Sequence, residues 1–273
     1  MAHCIAIASG KGGVGKSSLT ANLGAALSER GKKVILIDAD IGLRSLDAFL
    51  SLENNVVYDL IDLAEGNCEL DDALLASEAY PNLFLLPAAQ FRRVRSLEPK
   101  QLRKIIAVLR ERSGFILIDC PAGIERGLRI VLRSGIDEVI LVATPDDVSL
   151  RSAERAVQVI ESKSLPRPRL IVNRLDPDLI HMGEMMSART FAEVIDLPLL
   201  GEIPEDQTFC RAMLRHSLLF AFQCEARGAV LRIASRLNGN EVPFPAYGQK
   251  AGTSWLYRLL SGKPKEVIPL DDH

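Results

Sequence analysis

The stretch Gly10-Lys11-Gly12-Gly13-Val14-Gly15-Lys16-Ser17 limits what this chain of 273 residues can fold into more than any other feature. It fits G-x-x-x-x-G-K-[ST] and stands between an apolar run, Cys4–Ala8, and a segment of helical pattern, Ser17–Arg30, with Leu19, Leu23, Ala26 and Leu27 on one face. A strand, a glycine-rich turn and a helix in that order let backbone N–H groups of Gly10, Gly12, Gly13, Val14 and Gly15 point inward around phosphate oxygens. The positive end of the helix adds to the same attraction. Lys16 is then expected to neutralise β/γ-phosphates and the Ser17 hydroxyl to ligate Mg²⁺, with Ser18 beside it. The expected ligand is a nucleoside triphosphate with its metal.

The rest of the chain supports the fold that such a loop needs. Val34–Ile37, Leu83–Leu86, Phe115–Ile118, Val139–Ala143, Leu170–Val172 and Leu199–Ile203 are continuously apolar, as parallel strands covered on both faces are. Amphipathic segments separate them. In Gln101–Arg112, Leu102, Ile105, Ile106 and Leu109 recur at helical spacing. The fold class is therefore α/β: a doubly wound, mostly parallel sheet with helices on both faces, followed by a short C-terminal amphipathic helix. Residues 1–238 are expected to form the nucleotide-binding domain, 239–252 a linker, and 253–273 an amphipathic segment with a short tail. Lys and Arg number 33 against 35 Asp and Glu, so bulk electrostatic capture of nucleic acid is not expected. No apolar run approaches the roughly 20 residues of a spanning helix, and the N-terminus has no signal-peptide pattern. The scattered cysteines (Cys4, Cys68, Cys120, Cys210, Cys224) form no CxxC pair and fit a reducing, cytoplasmic compartment.

Two apolar strands end in acids. Val34–Ile37 runs into Asp38-Ala39-Asp40, and Phe115–Ile118 into Asp119. Ligands of open α/β sheets bind beyond the carboxyl ends of strands, so these acids converge on the phosphate loop. Asp119 suits holding Mg²⁺ directly or through water, and Asp40 suits orienting or deprotonating an attacking water. Asp38 either supports the metal's outer shell or caps the following helix.

The segment K-G-G-V-G-K-S resembles the variant phosphate loop of the MinD/ParA family of P-loop ATPases. Asp38-Ala39-Asp40-Ile41-Gly42-Leu43-Arg44-Ser45-Leu46-Asp47, Val57-Tyr58-Asp59, Asp119-Cys120-Pro121-Ala122-Gly123-Ile124-Glu125 and Gly201-Glu202-Ile203-Pro204-Glu205-Asp206-Gln207 resemble segments of its MinD branch, in order, over residues 1 to about 237. The resemblance implies an ATPase that dimerises with ATP, binds the inner face of the cell membrane peripherally and helps place the division septum. It implies that Lys11 reaches the partner subunit's nucleotide, that Asn173 and Arg174 sit at the base, and that Pro204 and Glu205 line its other side. An Asn amide can discriminate adenine by its paired donor and acceptor; a turn or helix-cap role is the alternative. The implied partners are a second copy, the division inhibitor MinC, the activator MinE and an anionic membrane, with Arg44–Glu53 and Val148–Ile160 as the places corresponding to the faces that MinC and MinE use. The family usually has Thr-Thr where this chain has Ser17-Ser18, and Asn where it has Ser45.

Trp255, Leu256, Leu259 and Leu260 fall on one arc of about 140° if helical, with Arg258 and Ser261 opposite. The segment resembles the family's membrane-targeting helix in place and pattern; packing on the chain's own domain is the alternative. Its basic cluster is thin (Lys250, Arg258, Lys263, Lys265), and Glu266, Asp271 and Asp272 add negative charge. Two related functions compete. A ParA-type DNA-segregation ATPase needs a basic surface that the composition does not favour. A flagellar-number regulator characteristically carries an extension before the first strand, which is absent from this sequence.

Overall fold

A computed structural model describes residues 2–89, 97–215 and 217–245. Among these residues the sheet has eight strands, β1 (His3–Ala8), β2 (Val34–Asp38), β3 (Leu75–Ala76), β4 (Leu83–Leu86), β5 (Phe115–Asp119), β6 (Glu138–Ala143), β7 (Arg169–Leu175) and β8 (Leu199–Pro204), in the order β3-β4-β2-β5-β1-β6-β7-β8. Every pairing is parallel except β3 with β4. The expected strands are all present, most of them longer by a residue or more. The short antiparallel β3 at the sheet's edge was not expected, because two residues carry no period.

Both faces of the sheet are covered, which is why its strands are continuously apolar. On one face, α1 (Lys16–Glu29) and α11 (Glu225–Leu237) pack over Ile5, Ile7, Leu36, Leu117 and Ile171. On the other, α5 (Pro99–Arg110), α7 (Asp147–Glu161) and α9 (Ala188–Ile195) cover Ala6, Ile37, Ile118, Leu141 and Val172. Leu102, Ile105, Ile106 and Leu109 are the buried residues of α5, and Glu98 and Gln101 close its first turn as a capping box. α1 is buried at every position from Ser18 to Ser28, since α11 crosses its outer side. Each fully buried leucine there, such as Leu23, contributes roughly 1.5–3 kcal/mol. Gly24 lets the helix approach β2: a Cβ there would lie 2.8 Å from Leu36 Cδ2.

The strand order places the site. From β1 the chain crosses to β2 on one side, and from β5 it crosses to β6 on the other, so the loops after β1 and β5 part and leave a crevice at the carboxyl ends. Past α11, Arg236 donates to the carbonyls of Leu200, Val242 and Pro243 and stacks on Phe244 at 3.8 Å, pinning residues 242–244 beside β8. The first part of the expected linker is thus fastened to the domain. Trp255, Leu256, Arg258, Leu259 and Leu260 lie outside the described residues. Among the described residues, no helix is long and apolar enough to cross a membrane.

Candidate functional site

The phosphate loop turns into α1 at Gly15, whose φ of +88° is left-handed and favours glycine. The loop's entry is equally constrained: a Cβ on Gly10 would lie 2.1 Å from the carbonyl oxygen of Ser152 in α7. Lys16 is only 6 % exposed and donates to Asp119 Oδ1 at 2.7 Å and to Ser17 Oγ at 3.3 Å. Asp119 is fully buried, and Thr20, one turn beyond Lys16 in α1, lies with its hydroxyl 3.2 Å from the same Oδ1. Asp119 Oδ2 is buried and has no hydrogen-bond partner among the described residues. An orphaned carboxylate oxygen and a serine hydroxyl, on two residues that both contact Lys16 Nζ, form a hard donor set of the kind Mg²⁺ takes while retaining several waters. Ser17 and Asp119 therefore fit the metal expected of them.

Asp38 and Asp40 differ sharply. The Asp38 carboxylate is fully buried and accepts backbone N–H bonds from Asp40 (3.0 Å), Ser45 (3.0 Å) and Leu46 (3.1 Å), the last two at the start of α2 (Leu46–Phe49). Burial, then the neighbouring Asp119, pushes its pKa up to about 7 against those donors. Its oxygens tether the segment after β2 to the strand end, which is the capping role. Asp40 lies past the end of the strand, half-buried, and its pKa is raised by burial and by Asp119 while Lys16 opposes the rise. Of the two acids, Asp40 keeps a carboxylate with no hydrogen-bond partner among the described residues and close enough to Lys16 to feel its charge.

Lys11 is held differently. Its Nζ lies 2.9 and 3.0 Å from the two oxygens of Asp146, the N-cap of α7, which also accepts from the Thr144 hydroxyl (2.6 Å) and the Ser149 N–H (2.8 Å). Burial would raise the Asp146 pKa, but Thr144, Lys11 and Ser149 outweigh it and hold the carboxyl below its usual range. Asp146, Thr144 and Thr20 were missed from the sequence. Only Thr20 had a signal there, being four residues from Lys16 on one helical face.

On the far side, β7 ends irregularly. Asn173 pairs with Ile203 and Leu175 with Pro204, so Arg174 is the extra residue of a bulge, at a left-handed φ of +61°. Asn173 is 6 % exposed and its amide donates to Val14 O at 2.8 Å. Arg174 is exposed and 3.9 Å from Glu205, whose N–H donates to Leu175 O. The structure thus brings Asn173, Arg174, Pro204 and Glu205 together at the ends of β7 and β8, beside the phosphate loop.

These features define a P-loop nucleotide-binding protein on a doubly wound sheet. The CobQ/CobB/MinD/ParA nucleotide binding domain matches residues 5–220. The septum site-determining protein MinD of Synechocystis is 41% identical over 246 residues, covering 89% of this chain and 92% of its own. MinD in a MinC:MinD cell division protein complex from Aquifex aeolicus superposes with a TM-score of 0.84 at 36% identity, covering 91% of this chain and 100% of that one. MinD of Pyrococcus horikoshii, solved with Mg-ADP, gives a TM-score of 0.78 at 31% identity over 87% of this chain and 96% of its own. The chain belongs to the MinD family of septum site-determining proteins.

Proposed function

We propose that this protein is a Mg²⁺-dependent ATPase switch that dimerises with ATP, binds the inner membrane surface and helps place the division septum. The observation that carries this reading is the buried Lys16–Asp119 pair, with Ser17 Oγ on the same Lys16 Nζ and Asp119 Oδ2 unpartnered among the described residues. Mg²⁺, when bound, would supply positive charge against the negative charge developing on the phosphates. Ser17 and Asp119 would hold the metal, Lys16 would exchange Asp119 for a phosphate oxygen, and Asp38 would keep the following segment in place or support the metal's outer shell. Asp40 would orient the attacking water. Lys11 would leave Asp146 for the partner subunit's nucleotide, a cation supplied in trans. Asn173, with Arg174, Pro204 and Glu205 around it, would face adenine.

Exposed apolar side chains support a partner face: Val148, 66 % exposed, starts the Val148–Ile160 segment expected to meet a MinC-like or MinE-like partner, and Leu43, 68 % exposed, immediately precedes the other, Arg44–Glu53. Solved MinD with MinC makes the inhibitor the partner proposed first. Membrane binding would follow from avidity. A single Trp255–Leu260 segment recovers too little free energy to hold for long, whereas a dimer presents two, the second at high effective concentration. Sedimentation onto anionic liposomes tests this: the chain should pellet with ATP and stay in solution with ADP, and truncation after Gly252 should abolish pelleting while leaving the ATP dimer intact. Equal pelleting in both nucleotides would overturn the switch.

A further inference from the structure

Asn173 sits where two demands meet. A carbonyl oxygen can only accept, so the atom 2.8 Å from Val14 O must be the amide nitrogen, and one of its hydrogens is committed to the phosphate loop. Val14 is itself 1 % exposed, so its carbonyl has little recourse to water if that donor is lost. The contact is tight: a Cβ on Gly15 would lie 2.5 Å from the same nitrogen, so the amide lies directly against the left-handed turn that starts α1. Successive side chains of a strand point opposite ways, so Asn173 goes to the loop while Arg174, the extra residue of the bulge, goes outward to Glu205. After the bond to Val14, the Asn173 amide retains one N–H and its oxygen, a donor and an acceptor in the plane that a base edge requires.

We infer that Asn173 is a positioning residue for the phosphate loop as well as the group that faces the base, so that one side chain couples base recognition to phosphate binding. This deepens the ATP reading above and rests on it. The bond holds the Val14–Gly15 peptide in the conformation that directs the loop's N–H groups inward. A base seated on the rest of the amide then fixes the same side chain and stiffens the loop beneath the phosphates.

The coupling separates from simple base reading by a ligand that has no base. Binding of Mg²⁺-tripolyphosphate and of Mg²⁺-ATP is measured by calorimetry for the parent chain, Asn173→Ala and Asn173→Asp, the last keeping the side chain's shape but offering Val14 only acceptors. Both variants should lose affinity for tripolyphosphate on the order of tenfold, and for ATP by at least as much. Hydrogen exchange of the Gly12–Lys16 amides without nucleotide provides a second readout, and it should quicken in both variants at temperatures where α5 and α7 stay protected. Variants that bind tripolyphosphate like the parent, with unchanged exchange in the loop, would make Asn173 a base reader only and overturn the inference. A parent chain that binds tripolyphosphate but not ATP would instead sink the adenine reading while leaving the brace standing.

Discussion

The two lysines of the phosphate loop are five positions apart and chemically identical, yet the fold treats them in opposite ways. Lys16 lies under the loop, 6 % exposed, against a carboxylate with no solvent exposure. Lys11 stands at the loop's outer lip, its side chain 30 % exposed, on an Asp146 that is 46 % exposed. A buried pair stays together unless each charge gains a new partner at once, because separating it otherwise leaves an uncompensated charge in a medium of low dielectric. A lip pair is movable, because water replaces either partner at little cost. The roles proposed for them, one lysine for the chain's own phosphates and the other for a second subunit, rest on this difference in burial rather than on residue type.

The largest effect is expected at the locked end. Lys16→Ala should abolish ATP binding in calorimetry. It should also lower stability, since breaking a buried ion pair costs about 3–5 kcal/mol; nucleotide binding retained at the parent level would break the comparison outright. Next is the water-facing acid. Asp40→Ala should slow hydrolysis at least tenfold with little loss of ATP affinity, leaving a longer-lived dimer in size-exclusion runs, and a variant that stays monomeric would make Asp40 structural. At the movable end the effect is smaller. Asp146→Asn keeps an N-cap for α7 but removes the charge that holds Lys11, so half-maximal dimerisation should need about two- to fivefold less ATP.

The smallest effect is a slope with pH. Asp38 titrates at about 7 when folded and near its ordinary 3.8 when unfolded, so the native chain binds more protons between those values. The nucleotide-free protein should therefore lose stability as pH rises from about 4 to about 7 and level off above. Thermal midpoints at about pH 5 and about pH 8 should differ less for Asp38→Asn than for the parent.

Much of this was legible before any coordinates. The apolar runs fixed the parallel strands, since only strands covered on both faces avoid alternation, and Gly10–Ser17 fixed where the chain turns into α1. The acids Asp38, Asp40 and Asp119 were placed by their positions after those runs. Alternation along a strand puts Asp38 and Asp40, two residues apart, on one side. β2 ends at Asp38, however, and the rule lapses there: Asp38 turns onto the backbone of Ser45 and Leu46 while Asp40 stays half-exposed. Lys11 meeting Asp146 had no sequence signal. Periodicity reports the burial of each segment, not which side chains two segments 135 residues apart bring together. The Arg236 clamp on Val242 and Pro243 was hidden in the same way, behind a proline-rich stretch that reads as linker.

The central claim is that Lys11 works on another subunit's nucleotide and Lys16 on its own chain's. Lys11→Ala measured for ATP affinity, mass in solution with Mg²⁺-ATP and hydrolysis rate addresses it in one set of samples. The account predicts ATP affinity within about threefold of the parent, because an exposed lip pair contributes little. It also predicts a monomer where the parent is a dimer, and hydrolysis reduced to background. A Lys11→Ala chain that dimerises with ATP and hydrolyses it at the parent rate would contradict it.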